Sequence, residues 1–66
     1  MDVNRWNFDV ISSANEVLGS GLSMTRDLDA IVEMVREIAL AYDEPEAGWF
    51  VADVLNEVNE REMALE

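Results

Sequence analysis

The chain has no cysteine, no histidine and no lysine among its 66 residues. Without cysteine there can be no disulfide, and without cysteine and histidine the usual zinc sites have no ligands. Nucleophilic catalysis commonly uses a cysteine thiol or a histidine base, and the chain has neither. Schiff-base chemistry and phosphate-binding loops require a lysine, which is also absent. We therefore expect no enzymatic activity, no cofactor and no bound metal.

The chain also lacks a long apolar run and a recognisable leader. No stretch approaches the about 20 consecutive apolar residues that a membrane-spanning helix needs. The first residues carry neither the basic segment nor the apolar segment of a signal peptide. We expect a cytoplasmic protein with no membrane partner.

Positive charge is scarce, because four arginines stand against fifteen aspartates and glutamates, for a formal net charge of −11. Direct binding to DNA or RNA is disfavoured, because phosphate recognition uses clusters of lysine and arginine. An acidic potential instead attracts a basic partner. The alternative is that the acidity serves only solubility, for which a small domain uses a net charge of magnitude about 2–8.

Half of the residues are apolar, and they recur with a helical period in three segments. We predict an all-α fold, a small antiparallel three-helix bundle with helices over 5–18, 24–42 and 45–61, forming a single domain. A domain of this size is marginally stable alone, so a homodimer or a heteromeric subunit is expected. The predicted apolar faces comprise Trp6, Val10, Ile11, Ala14, Val17 and Leu18, then Leu28, Ile31, Val32, Val35, Ile38, Ala39 and Tyr42, then Ala47, Phe50, Val51, Val54, Leu55 and Val58.

Capping residues and breakers mark the predicted helix ends. Asn4 or Asn7 is the candidate N-cap of the first helix, and Gly19 is the candidate left-handed residue after its last turn. Ser23 or Thr25 is the candidate cap of the second helix. The third begins at the single proline, which suits a first helical position.

The last five residues, 62–66, depart from the helical pattern, because Glu62 would point into the apolar face of the third helix. We predict a frayed tail for this segment. The final Leu65-Glu66 also fits a cloning scar, in which case it belongs outside the fold.

Three carboxylates line up on the side of the second helix that lies opposite its apolar residues. Asp29, Glu33 and Glu37 follow one another at four-residue intervals, which places them about 6 Å apart along the helix axis. Like charges at this spacing destabilise a helix by about 0.2–0.5 kcal/mol per pair, and Arg26 and Arg36 stand where they would relieve part of that repulsion. The row is either a solvated helix face or a recognition strip for a basic groove.

Two large apolar residues lie outside the apolar faces. Leu40 falls on the acidic side of the second helix, and Trp49 falls beside Asp53 and Glu60 on the third. Tryptophan is enriched at binding hot spots, so Trp49 is a candidate partner anchor. In the alternative, the third helix begins after Trp49, and a loop folds the indole back onto the core.

The other aromatic residues fit the core. Trp6, Tyr42 and Phe50 lie within apolar faces, where aromatic side chains contribute most of the buried area. Phe8 and Met34 lie at the edges of their faces and are expected to make peripheral core contacts or dimer contacts.

These features favour a small acidic protein that blocks a basic surface of a partner, in particular the surface of a nucleic-acid-binding protein. In composition the chain resembles the small acidic nucleic-acid mimics of phages and mobile elements, such as anti-CRISPR and antirestriction proteins, although no motif links it to them. The alternative is a structural or regulatory helical subunit that forms a homodimer. The predicted partner-binding residues are Asp29, Glu33, Glu37, Leu40, Trp49, Asp53, Glu57 and Glu60.

Overall fold

The structure, a computed structural model, describes residues 2–64 and contains three α-helices: α1 (Val3–Gly19), α2 (Leu28–Ala39) and α3 (Glu46–Ala64). Consecutive helices run antiparallel, so α1 and α3 are parallel. The third helix packs against both others, which contact each other less. The predicted all-α three-helix bundle is confirmed. No helix within residues 2–64 is both long enough and apolar enough to cross a bilayer.

The core runs along the axis of the bundle and is drawn from the predicted apolar faces. At one end three aromatic rings pack together: the centroid of Trp6 lies 5.0 Å from that of Tyr42 and 5.4 Å from that of Phe50, and the latter two are 4.9 Å apart. Ile11 and Leu28 lie at the margins and stay 45% and 44% exposed. The buried apolar residues are Trp6, Val10, Ala14, Val17, Ile31, Val35, Ala39, Phe50, Val54 and Val58.

The N-terminal cap of α1 is Asp2, so the prediction of Asn4 or Asn7 is wrong. The Asp2 carboxylate accepts hydrogen bonds from the backbone N–H groups of Asn4 at 3.0 Å and Arg5 at 3.3 Å. These two N–H groups have no partner inside the helix, which is why an acceptor just before the first turn stabilises it. Helix α1 therefore begins two residues earlier than predicted.

Helix α1 also ends differently from the prediction. Gly19 is its last helical residue, and Ser20 closes the final turn, with its N–H donating to the Glu16 carbonyl at 3.1 Å and its hydroxyl to the Val17 carbonyl at 2.6 Å. The left-handed residue is Gly21, with a φ of 81°. The chain reverses there because glycine adopts positive φ without a steric cost.

Helix α2 is shorter than predicted at both ends. The predicted caps Ser23 and Thr25 lie in a preceding turn, in which the Asp27 carboxylate accepts from the Ser23 N–H at 3.1 Å and the Asp27 N–H donates to the Ser23 carbonyl at 2.7 Å. At the other end, the Tyr42 N–H donates to the Ala39 carbonyl at 2.9 Å. This three-residue spacing is tighter than that of an α-helix, and Tyr42 follows the helix as part of a turn.

Helix α3 is longer than predicted. The prediction of a frayed tail is wrong for residues 62–64, which are helical. Glu62 is half-buried, and its two carboxylate oxygens lie 3.2 Å and 3.3 Å from the backbone N of Met24, which donates to them. A polar side chain on this side of α3 is accommodated because it caps the loop before α2. Residues 65–66, with the interpretation as a cloning scar, lie outside the described residues.

Candidate functional site

The three carboxylates of the predicted row lie on the outer face of α2. Asp29, Glu33 and Glu37 are all exposed, whereas the opposite face of the helix is buried in the core. Leu40 caps the C-terminal end of the helix and is 82% exposed. We call Asp29, Glu33 and Glu37 the α2 strip. The structure keeps its members together, with Leu40 at the end of the row.

The α2 strip is not neutralised by arginine within the described part of the chain. The ion pairs found there lie elsewhere, at Arg5–Asp9 (3.8 Å) and Arg61–Glu57 (3.1 Å). Arg26 and Arg36 make no ion pair with a described carboxylate. Each member of the strip therefore faces solvent with its charge available to a partner.

Trp49 lies in the first turn of α3 and is 56% exposed. The alternative in which its indole folds back onto the core is wrong. The physical reason is that α3 already begins at Glu46, and the step of about 100° per residue turns Trp49 away from the buried side of the helix, on which Phe50 lies.

Two of the predicted partner-binding acids have structural partners instead. The indole N–H of Trp6 donates to the Asp53 carboxylate at 2.8 Å. The Arg61 guanidinium donates to the Glu57 carboxylate at 3.1 Å and also to the side-chain oxygen of Asn15. The Trp6–Asp53 and Arg61–Asn15 contacts tie α1 to α3, whereas the Arg61–Glu57 contact lies within α3 and holds the guanidinium that reaches Asn15. Asp53 and Glu57 therefore contribute to the packing of the bundle, and their charges are partly used within it.

The predicted residues do not form one surface. The Trp6 contact shows that the edge of α3 carrying Asp53 borders α1. The other edge of α3, with Val51, borders the end of α2 at Leu40. Trp49 and the exposed Glu60 lie on the α1 side of α3, away from the α2 strip. The sequence pattern placed each residue on its own helix correctly but could not show which helices would be neighbours.

One carboxylate that contacts the aromatic end of the core, Asp9, was not among the residues singled out from the sequence. The Tyr42 hydroxyl donates to the Asp9 carboxylate at 2.7 Å. That hydrogen bond, followed by burial and by the charge of Asp9, raises the pKa of Tyr42 above its ordinary value. The sequence contained one indication of this contact, the hydrogen-bond donors of Trp6 and Tyr42. An indole or phenol within a core requires an acceptor nearby.

An open groove between the end of α2 and the start of α3 was also missed. Its volume is about 710 Å³, within the range of about 300–1,000 Å³ typical of ligand pockets. Small residues and Leu40 contribute to its lining, together with acidic residues of the turn that joins the helices. Its lining includes Arg36, Ala39, Leu40, Asp43, Gly48 and Val51.

The remaining chemistry of the surface is sparse. Within residues 2–64 no group of three or more acidic side chains is arranged to hold a metal ion. Comparisons with protein families, with curated proteins and with solved structures find no match. The features of this chain that bear on its function are therefore its charge, its exposed residues and its groove.

Proposed function

We propose that the protein is a non-catalytic acidic binding module that covers a basic surface of a partner protein, in particular one that binds nucleic acid. The α2 strip carries the proposal, because its three exposed carboxylates have no ion-pair partner among residues 2–64 of a chain with a net charge of −11. Complementary potentials accelerate encounter and fix the orientation of the two partners. The protein acts by occupying the arginines and lysines that would otherwise contact phosphates.

The strip is suited to this role because it is rigid. Its carboxylates are about 6 Å apart along the axis, whereas phosphates of one nucleic-acid strand are about 3.4 Å apart along the axis and farther apart along the backbone path. The helix beneath it is anchored by Ile31 and Val35, both fully buried. A preorganised row loses little conformational entropy on binding, apart from that of its own side chains. Trp49 and Glu60 lie on another part of the surface and are not required.

The proposal is tested with a panel of purified basic nucleic-acid-binding proteins, each holding a fluorescent oligonucleotide. We expect the protein to displace the oligonucleotide from a member of the panel, with an affinity that falls about tenfold or more as salt rises. Neutralising two strip charges in Glu33→Gln/Glu37→Gln is expected to weaken binding about threefold or more.

The control variant Glu16→Gln/Glu60→Gln removes the same net charge from exposed positions outside the strip. It is expected to retain most of the affinity. Equal weakening by the two double variants would assign binding to net charge and overturn the role of the strip. Absence of salt-sensitive binding across the whole panel would overturn the proposal itself.

A homodimer is the second candidate, and exposed apolar residues on α1 favour it. Phe8 is 69% exposed, and Ile11, three residues later on the same side of the helix, is 45% exposed. Met34 is half-buried and packs against the core, which agrees with the peripheral core contact expected for it. Light scattering after size exclusion is expected to show a dimer that Phe8→Ser converts to a monomer. A strict monomer at high concentration would exclude this candidate.

A further inference from the structure

Three of the residues that line the groove between α2 and α3 are small. Ala39 comes from the end of α2, and Ala47 and Gly48 come from the first turn of α3. A Cβ atom added at Gly48 would meet no other atom within 4 Å. Gly48 therefore borders open space, and the groove volume of about 710 Å³ is large enough to admit a side chain from outside the molecule.

The lining of the groove combines apolar side chains with two acids and one arginine. Leu40, 82% exposed, lies on one side, and the half-buried Val51 lies on the other. Asp43 and Glu44 are exposed at the turn between the helices, and neither forms an ion pair with a described arginine. Because the acids outnumber the single arginine of the lining, the groove favours a ligand that combines an apolar group with positive charge beside it.

We propose that this groove binds one large apolar side chain of a partner segment whose neighbouring residues are lysines or arginines. The inference rests on the proposed function, because it adds an apolar anchor to the same basic partner. Leu40 joins the two surfaces, since it lines the groove and ends the face of α2 that carries the strip. Basic residues beside the anchor would meet Asp43 and Glu44, and a longer partner segment would continue from Leu40 to the strip.

Arg36 provides a test of the sign of the charge that the groove accepts. It lines the groove and makes no ion pair within residues 2–64. Its positive charge opposes a basic segment, so Arg36→Gln strengthens binding of such a segment. If the groove instead held an anionic ligand, the same substitution would weaken binding, because it removes a guanidinium that attracts an anion.

The test uses fluorescent peptides with two lysines on each side of a central phenylalanine or a central serine. At a salt concentration high enough to suppress purely electrostatic binding, we expect the phenylalanine peptide to bind about tenfold more tightly than the serine peptide. Gly48→Leu fills the groove and is expected to abolish this preference. Ala52→Leu places the same side chain on an exposed position of α3 outside the groove and is expected to preserve it.

Circular dichroism establishes that each variant retains its helices, and amide chemical shifts locate the bound peptide. Shifts confined to the groove residues support the proposal. Equal affinity for the two peptides, or a preference that survives Gly48→Leu, overturns it, as does weaker binding of the phenylalanine peptide to Arg36→Gln. None of these three results affects the strip, whose role is decided separately by oligonucleotide displacement with Glu33→Gln/Glu37→Gln.

Discussion

Asp9 and Asp53 show how single carboxylates serve the interior of this protein as well as its surface. Each accepts a hydrogen bond from an aromatic side chain of the core cluster, Asp9 from Tyr42 and Asp53 from Trp6. An indole or phenol group in a core is costly to leave without an acceptor. These two acids therefore stabilise the fold, and their charges are less available to a partner than those of the α2 strip.

The contact between Tyr42 and Asp9 makes the stability of the protein depend on pH. The raised pKa of Tyr42 means that the folded protein favours the neutral phenol, so the stability that the contact provides is present below about pH 10 and is lost as pH rises through the folded-state pKa. Asp9→Asn is expected to lower that pKa toward its ordinary value. Because the chain has one tyrosine, its near-ultraviolet absorbance titration reports this group alone.

Glu16→Gln is the matched control, since it removes one negative charge from an exposed position of the same helix. It is expected to leave the tyrosine titration almost unchanged. A titration of Asp9→Asn that coincides with that of the original protein would contradict the assignment of the pKa shift to Asp9.

At the scale of the helices, the C-terminal turn of α3 is fixed by a contact from outside the helix. The Glu62 carboxylate receives the Met24 N–H from the loop before α2. Hydrogen bonds of this kind, between a charged side chain and the backbone, are typically stronger than those between neutral groups. The contact therefore holds both the end of α3 and the entry to α2.

We predict that Glu62→Ala lowers the free energy of unfolding by about 1 kcal/mol, because the Met24 N–H loses its acceptor. Glu60→Ala is the control: the same substitution on the same helix, at an exposed position without a hydrogen-bond partner within residues 2–64. It is expected to change stability by less than about 0.5 kcal/mol. Urea unfolding of both variants provides the measurement, and equal effects would exclude the capping role.

At the scale of the whole molecule, the net charge of −11 opposes the compact state while it attracts a basic partner. Salt screens both effects, since the Debye length falls from about 30 Å at 0.01 M to about 8 Å at 0.15 M. Added salt is therefore expected to stabilise the fold and to weaken partner binding. The two dependences have opposite signs because self-repulsion and partner attraction arise from the same charges.

We predict that the melting temperature rises by about 5 °C between low salt and physiological salt, which corresponds to about 1 kcal/mol for a domain of this size. A variant with four acids neutralised, Glu16→Gln/Glu33→Gln/Glu37→Gln/Glu60→Gln, is expected to show a smaller rise. Calorimetry at several salt concentrations measures both. A melting temperature that is constant or falls with salt would contradict net self-repulsion.

The amino-acid sequence by itself determined the three amphipathic helices, most of the core and the exposure of the α2 strip and Leu40. These properties follow from the period of the helix, which assigns each residue to a face from its own position along the chain. The helix ends were less predictable, because several polar residues near each end are able to cap it. Asp2 and Asp27 differ from their polar neighbours only in the local hydrogen bonds that they make.

Only the tertiary structure decided which acids stay available to a partner. The acceptor roles of Asp53 and Glu62 depend on Trp6 and Met24, which are far away in the chain and are brought close by helix packing. The division of the predicted residues between two surfaces, and the groove beside Leu40, arise in the same way. Helical periodicity contains no information about which helix faces which, because that choice is made by side chains that fit together across the core.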